Sequence, residues 1–267
     1  MRAPAGIQAP AGINAPAGIN APAWLVARPI AHRGLHDRAA GIPENTVAAA
    51  RAAIAHGFAI ECDVQMSADG EAMVFHDAAL GRLTGAAEAV SALSAAALGQ
   101  LAVGGTPERI PTLPDFLAEI GGRVPLVVEI KSRFDGDLAL AERVAAVVAD
   151  YEGPLAVKSF DPRVVAALRG RLPERVPRGI VAESTQDDPA YAALAPSERR
   201  SLSDLLHIAE SRPDFLSWRV DDLPNAATHL ARLLGGLPVM AWTVRTPDQR
   251  ARAAAHADQM VFEGFVP

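Results

Sequence analysis

The triplet His32, Arg33 and Gly34 follows a short apolar run that ends at Ala31. A histidine transfers protons near neutral pH, and an arginine offers a planar fork of hydrogen-bond donors to a phosphate. A glycine lets the backbone approach a ligand closely. The triplet is therefore typical of a buried strand that delivers phosphate-binding groups at its carboxyl end, although by itself it does not define a site.

Three carboxylates occupy similar positions on two further predicted strands. The alternation of side chains along strand 58–64 places Glu61 and Asp63 on one face and Cys62 on the other. Glu129 lies near the end of the next long apolar strand. Carboxylate oxygens are the ligands that Mg²⁺ and Ca²⁺ prefer, so this set could hold a divalent cation that neutralises a phosphoryl oxygen.

Cationic and proton-transfer groups accompany these acids. Lys131 shares a strand face with Glu129, and together with Arg33 it could hold a phosphate at the cation. His76 ends a short predicted strand, and with His32 it could flank that phosphate as base and acid. These residues together indicate cleavage of a phosphodiester.

The chain alternates predicted strands and helices along its length. The main strands are predicted at 30–33, 58–64, 125–131, 155–160, 178–183, 214–219, 238–244 and 259–263. Helices are predicted from an Asn45 cap to about His56 and at 112–120, 137–150, 162–169, 202–210, 225–234 and 247–256. This alternation favours an α/β fold, a (β/α)8 TIM-type barrel with a short insertion at about 80–106, after the second strand.

Catalytic groups of such barrels lie at the carboxyl ends of the strands. The polar residues of this chain that fall in the last part of an apolar strand are His32, Glu61, Asp63, Glu129, Lys131, Glu183, Trp242 and Glu263. Paired functional groups on two neighbouring strands are less expected by chance than single polar strand ends. We therefore expect one site at the carboxyl mouth of the barrel.

Composition limits the class of protein. The chain has 267 residues with a formal net charge of -6, so no basic surface indicates nucleic-acid binding. The single cysteine excludes an intramolecular disulfide. Residues 1–23 form a Pro/Gly/Ala repeat and are predicted to be a disordered tail, while 24–267 are predicted to be the barrel domain. Neither an export signal nor a bilayer-spanning segment is evident, and a cytoplasmic location is expected.

Six motifs in order resemble those of the glycerophosphodiester phosphodiesterase family. They are His32-Arg33-Gly34, Pro43-Glu44-Asn45-Thr46, Glu61-x-Asp63, His76-Asp77, Glu129-Ile130-Lys131 and Trp242-Thr243-Val244. The resemblance implies a TIM-type barrel and metal-dependent hydrolysis of glycerophosphodiesters to glycerol 3-phosphate and an alcohol. It also implies a small-molecule substrate and no stable membrane insertion, and it leaves a homo-oligomer open.

The resemblance also assigns residue roles. It implies an acid/base pair of His32 and His76, metal ligands Glu61, Asp63 and Glu129, phosphate contacts from Arg33 and Lys131, and Trp242 beside the glycerol moiety. Glu44 could support the site from behind, or it could simply favour the start of a helix. Asp77 could orient His76 or begin a turn.

The chain departs from the family pattern at two places. Arg245 stands where the family usually has asparagine, and Glu263 with Gly264 stands where it usually has Thr-Asp before a final helix. We expect the outer wall beside the last strand to be covered by the Trp24 segment or by a second subunit. The orientation of Lys158 stays open at this stage.

Two other functions compete with hydrolysis of small glycerophosphodiesters. A lysophospholipase D-like hydrolase would need an apolar groove for an acyl chain, and no long apolar insertion is evident. A catalytically silent barrel that binds phosphodiesters would not need both histidines and all three acids. Glu183 and Arg219 could line the pocket or form a structural salt bridge.

Overall fold

The computed structural model describes residues 21–184 and 191–267, and their strands form a closed barrel. The strands of these ranges are β1 (Ile30–Ala31), β2 (Ala59–Met66), β3 (Ala72–Val74), β4 (Leu126–Ile130), β5 (Leu155–Ser159), β6 (Arg178–Ala182), β7 (Phe215–Arg219), β8 (Val239–Val244) and β9 (Gln259–Phe262). Strand β1 pairs in parallel with both β2 and β9, which closes the ring, while β3 pairs antiparallel with the end of β2. The predicted barrel of eight parallel strands is confirmed.

Helices connect most of the strands. Within the described ranges they are α1 (Val47–Ala55), α2 (Gly81–Thr84), α3 (Ala95–Leu98), α4 (Leu113–Ile120), α5 (Ala139–Val148), α6 (Pro162–Ala167), α7 (Pro196–Ser203), α8 (Ile208–Ser211), α9 (Ala226–Gly235) and α10 (Pro247–His256). Among the residues described, no helix combines the length and apolarity needed to cross a membrane. The predicted tail lies outside the described residues except for its last three, and Ala23 already begins a 3-10 turn that ends at Val26.

Two helix predictions are wrong in detail. Helix α1 is capped by Thr46, whose side chain accepts a hydrogen bond from the Ala49 N–H, and not by Asn45. The predicted helix 202–210 is divided, because Leu205 between α7 and α8 adopts a left-handed φ of 56° that a continuous helix excludes.

The insertion after β3 builds a small core of its own. It contains α2, α3 and a 3-10 turn at Val90–Ala92. Its buried residues are Met73, Phe75, Leu80, Val90, Leu98, Val103 and Ile110. Because Met73 lies on β3 and Phe75 directly follows it, this core attaches the insertion to the carboxyl end of β2.

Apolar side chains fill the amino-terminal half of the barrel interior. They are Leu25, Ile30, Ala59, Val127, Ala156, Phe215, Met240 and Val261. Phe215 fits because Gly179 on the neighbouring strand has no side chain, and a Cβ there would lie 2.3 Å from the Phe215 ring. Trp24 packs against this interior cluster, so the expectation that its segment covers the outer wall is wrong.

The outward faces of the strands pack against the helices. Cys62 is fully buried in this outer core, as the alternation on β2 predicts, and burial raises the pKa of its thiol. Beside the last strand, the Phe265 ring lies 5.5 Å from the Phe262 ring and packs against the same core. Phe265 therefore covers part of the wall beside β9.

Replacing Gly179 with alanine should lower the free energy of unfolding by about 1–3 kcal/mol, because an overpacked interior must displace the Phe215 ring. Urea unfolding of the single variants Gly179→Ala and Phe215→Leu and of their double variant measures the effect. The double variant should lose less than the sum of the single losses, since the two residues are in contact. Gly235→Ala on α9 is the control, because its nearest neighbour is 3.8 Å away; a Gly179→Ala loss no larger than this control would contradict the packing argument.

Candidate active site

The acids Glu61, Asp63 and Glu129 meet at the carboxyl end of the barrel. Asp63 and Glu129 are register partners on β2 and β4, so their side chains project inwards side by side. One carboxylate oxygen of each acid lies within 4.8 Å of the others, and none of the three residues is more than 5% exposed. The structure therefore brings together the three acids that the sequence singled out.

Two lysines lie among these acids, of which Lys158 is buried and Lys131 is partly exposed. Lys131 Nζ is 2.7 Å from Asp63 Oδ1 and 2.5 Å from Glu129 Oε1. Lys158 Nζ is 3.0 Å from Glu61 Oε1 and 3.1 Å from Glu129 Oε2. Lys158 therefore points into the barrel, which decides the orientation that the pattern of β5 left open.

The opposite charges keep these groups ionised. Burial alone would raise the pKa of Asp63, but Lys131 and His76 hold that pKa well below its usual range. Burial likewise opposes ionisation of Glu129, and Lys131 with Lys158 lowers the pKa of its carboxyl group. In return, Asp63 and Glu129 raise the pKa of Lys131 above its usual value in spite of burial. These carboxylates and Lys131 are therefore charged at neutral pH.

A divalent cation fits the donor chemistry of the cluster. Its three carboxylates are hard oxygen donors of the kind that Mg²⁺ and Ca²⁺ bind. Glu61 Oε1 is buried, and its ion-pair partner is Lys158 Nζ at 3.0 Å. Three cationic side chains, Lys131, Lys158 and Arg33, lie against the three carboxylates and balance their charge. The cluster could therefore hold a metal ion.

The loop from Arg33 to Asn45 is tied to the same acids. The Arg33 backbone N–H donates to Glu61 Oε2 at 3.1 Å, and its Nη1 donates to Glu44 Oε1 at 2.6 Å. Asn45 Nδ2 donates to Asp63 Oδ2 at 2.9 Å, and the Asp63 N–H donates back to Asn45 Oδ1 at 3.2 Å. Glu44 thus binds Arg33 directly, which is the supporting position that the sequence left open.

His32 lies between the acid cluster and the last strand. Its Nδ1 is 2.7 Å from Glu263 Oε2, and its Nε2 is 4.0 Å from Glu61 Oε2. Arg245 Nη2 donates to the same Glu263 oxygen at 3.0 Å. Burial opposes ionisation of Glu263, but the His32 hydrogen bond and the nearby cations hold its pKa at about 2. Arg245 and Glu263, the residues at which the chain departs from the family pattern, therefore contact each other beside His32.

His76 has a similar support on the other side of the site. Its Nδ1 is 2.7 Å from Asp77 Oδ1. Arg82, in the insertion, donates from Nε to Asp77 Oδ2 at 2.6 Å and from Nη1 to Glu44 Oε2 at 2.9 Å. Burial opposes ionisation of Glu44, but Arg82 and Arg33 hold its pKa at about 2. Sequence reasoning missed Arg82, and its position on a short helix just after Asp77 was the available signal.

Aromatic side chains line another part of the mouth. The Trp242 indole N–H donates to the Ser217 carbonyl at 2.9 Å, and its ring meets Phe160 edge-on at a centroid distance of 5.6 Å. Arg219 Nη1 lies 3.3 Å from Glu183 Oε2. Glu183 and Arg219 therefore form the salt bridge that the sequence left open as one of two alternatives.

Known proteins are similar to this chain in sequence and in fold. A Bacillus subtilis (strain 168) protein named as a glycerophosphodiester phosphodiesterase, YhdW, is 27% identical over 246 residues, which cover 89% of this chain and 92% of that protein. A glycerophosphodiester phosphodiesterase of Caldanaerobacter subterraneus is 33% identical over 144 residues, or 51% of this chain and 55% of that protein. The structure of an Oleispira antarctica phosphodiesterase in complex with the product sn-glycerol-3-phosphate has a TM-score of 0.69 at 23% identity, covering 88% of this chain and 91% of that chain.

A family model covers most of the barrel. The model of the glycerophosphoryl diester phosphodiesterase family matches residues 32–262. This range begins at His32 and includes all six motifs, the acid cluster and both histidines. The chain belongs to the glycerophosphoryl diester phosphodiesterase family.

Proposed function

We propose that this chain hydrolyses glycerophosphodiesters to glycerol 3-phosphate and an alcohol with the help of a divalent cation. The observation that carries the proposal is the close set of Glu61, Asp63 and Glu129 beside Arg33 at the mouth of the barrel. A cation held by the acids and the Arg33 guanidinium beside it would together neutralise the negative charge of a phosphodiester. Family membership and the product bound to the Oleispira antarctica phosphodiesterase support this reaction.

The acids would hold the cation, and Mg²⁺ or Ca²⁺ matches their hard oxygen donors. When bound, the cation supplies a Lewis acid to a phosphoryl oxygen. Arg33 and Lys131 would bind the same phosphate, because both side chains lie against Asp63. Glu44 would keep the Arg33 guanidinium in place through its 2.6 Å hydrogen bond.

His32 and His76 would be the proton-transfer pair. A carboxylate engages Nδ1 of each, Glu263 and Asp77 respectively, which leaves Nε2 of each free for the substrate. One imidazole would take the proton of the attacking hydroxyl group, which belongs either to water or to the substrate itself. As the phosphorus–oxygen bond to the leaving group breaks, the other imidazole would give its proton to the departing oxygen.

Trp242 would flank the glycerol moiety, since its partly exposed ring stands beside Phe160 at the mouth. A panel of glycerophosphodiesters with choline, ethanolamine, glycerol and inositol headgroups, together with one lysophospholipid, tests this proposal by product analysis. Release of glycerol 3-phosphate from the small diesters supports it. Cleavage of the lysophospholipid alone would favour a lysophospholipase D-like hydrolase. Binding of the diesters without turnover of any of them would favour a catalytically silent barrel.

Chelation should abolish turnover. Without a cation, the site has no Lewis acid to polarise the phosphoryl oxygen. EDTA treatment should stop product release, and added Mg²⁺ or Ca²⁺ should restore it. Glu61→Gln should weaken cation binding in calorimetric titrations of the apo protein, whereas Glu119→Gln, an acid paired with the exposed Arg51, should leave it unchanged. Full turnover in a metal-stripped sample would contradict the proposed cation requirement.

Each histidine variant should retain binding and lose turnover. His32→Ala and His76→Ala should each lower kcat by about 10²–10⁴-fold, the usual contribution of general acid–base catalysis. Substrate binding should persist, because Arg33 and the acid cluster stay in place. His56→Ala, at the exposed end of α1, is the matched control. Near-normal kcat in His76→Ala would show that the proton-transfer pair is assigned wrongly.

A further inference from the structure

We propose that Glu263 is a positioning residue that fixes the tautomer and the orientation of His32, and that Arg245 holds Glu263 in place. This inference rests on the proposed function for the role of His32 in proton transfer. Glu263 connects His32, at the beginning of the barrel, to its end. Glu263 and Arg245 are the two residues at which the chain departs from the family pattern, and they contact each other.

The backbone places the three side chains next to one another. His32, Glu263 and Arg245 each directly follow a strand, and those strands, β1, β9 and β8, are neighbours in the sheet. The His32 N–H donates to the Phe262 carbonyl at 2.9 Å, and the Glu263 N–H donates to the Val244 carbonyl at 3.0 Å. The barrel ladder therefore continues to the residues themselves, and their relative positions do not depend on a loop.

Glu263 selects His32 among the nearby imidazoles. Its Oε2 lies 2.7 Å from His32 Nδ1, whereas its Oε1 lies 4.0 Å from His36 Nε2, beyond hydrogen-bond reach. Arg245 Nη2 donates to the same Oε2 at 3.0 Å. A carboxylate oxygen can accept both bonds, so Arg245 can fix the carboxylate while His32 occupies its other lone pair.

The chemistry of this contact determines which ring nitrogen carries the proton. An ionised carboxylate only accepts hydrogen bonds, so the nitrogen that faces Glu263 must be Nδ1–H. Nε2 of the neutral ring then has a free lone pair, and it is the nitrogen on the side of Glu61 Oε2, 4.0 Å away. Without the carboxylate, nothing would favour the Nδ1–H tautomer, and the proton could occupy the nitrogen that must accept one.

The test uses the full chain labelled with ¹⁵N-histidine, and the pH is raised until the ring ¹⁵N shifts no longer change. Ring ¹⁵N shifts distinguish the two tautomers, and loss of a signal in His32→Gln assigns it. We expect the Nδ1–H form of His32 in the parent protein and in Glu263→Gln, whose amide oxygen can accept the same bond. Glu263→Met should shift the proton to Nε2, and Glu263→Thr serves if the methionine variant does not fold.

Kinetics provide the second readout. Glu263→Met should lower kcat by about 10–10⁴-fold at unchanged KM, a range that extends from the loss of a carboxylate partner of a metal-bound histidine to the loss caused by a wrong tautomer in a proton-transferring histidine. Glu263→Gln should recover most of kcat. Arg245→Met should keep the Nδ1–H tautomer, because Oε2 stays available to His32, and should lower kcat by less than Glu263→Met. Arg252→Met, which removes a surface arginine paired with Asp221, should change neither readout.

The outcomes separate this inference from the proposed function. If the parent protein cleaves no diester but Glu263→Met still shifts the tautomer, the proposed function fails and the positioning of His32 stands. An unchanged His32 tautomer in a folded Glu263→Met variant would overturn the inference, whatever the activity. Equal loss of kcat in Glu263→Met and Glu263→Gln, with the tautomer kept in the glutamine variant, would also overturn it.

Discussion

Charge compensation inside the carboxyl half of the barrel is the constraint on which the rest of the structure depends. An unpaired buried carboxylate is costly, and Glu61, Asp63 and Glu129 are all buried within a few ångströms of one another. Lys131 and Lys158 reach the cluster from neighbouring strands, and Arg33 lies against Asp63, so three cationic side chains offset its charge. A divalent cation would take over part of this compensation, because carboxylate oxygens are the hard donors that Mg²⁺ and Ca²⁺ bind.

The interior is divided into an apolar half and a charged half. Phe215, Leu25 and their apolar neighbours close the amino-terminal half, where Gly179 makes room for the ring. The acids begin one side-chain layer above, since Ala59 and Glu61 both face inwards on β2. This packed floor leaves the carboxyl mouth as the side from which a substrate can approach, and it keeps the charges above it in a medium of low dielectric, where they act more strongly.

The sequence predicts features that depend on the alternation of side chains within a single strand. Alternation along one strand was enough to place Glu61 and Asp63 inside the barrel and Cys62 outside it. Contacts between distant segments lie beyond such reasoning: Glu263 and His32 are 231 residues apart and meet only because the barrel closes. The same applies to Lys158, whose orientation follows from the register of β5 against β4.

Local errors have the same origin. Asn45 is a good helix cap by residue type, but Asp63 recruits its side chain, and Thr46 takes the capping position. The Trp24 segment could have packed on any apolar surface. It packs on the apolar cluster in the amino-terminal half of the barrel interior, which the strand pattern does not reveal. At Asn45 a tertiary contact outweighs a helix-capping preference of less than about 2 kcal/mol.

An imidazole backed by a carboxylate, which is in turn held by an arginine, occurs twice around the acid cluster. Glu263 and Asp77 each accept a hydrogen bond from Nδ1 of a histidine at 2.7 Å, and each carboxylate also binds an arginine. The two carboxylates come from opposite ends of the barrel sequence, one from the strand that closes the ring and one from the start of the insertion. Both imidazoles are therefore held by carboxylates that do not belong to the acid cluster, and Arg82 joins one of these, Asp77, to Glu44.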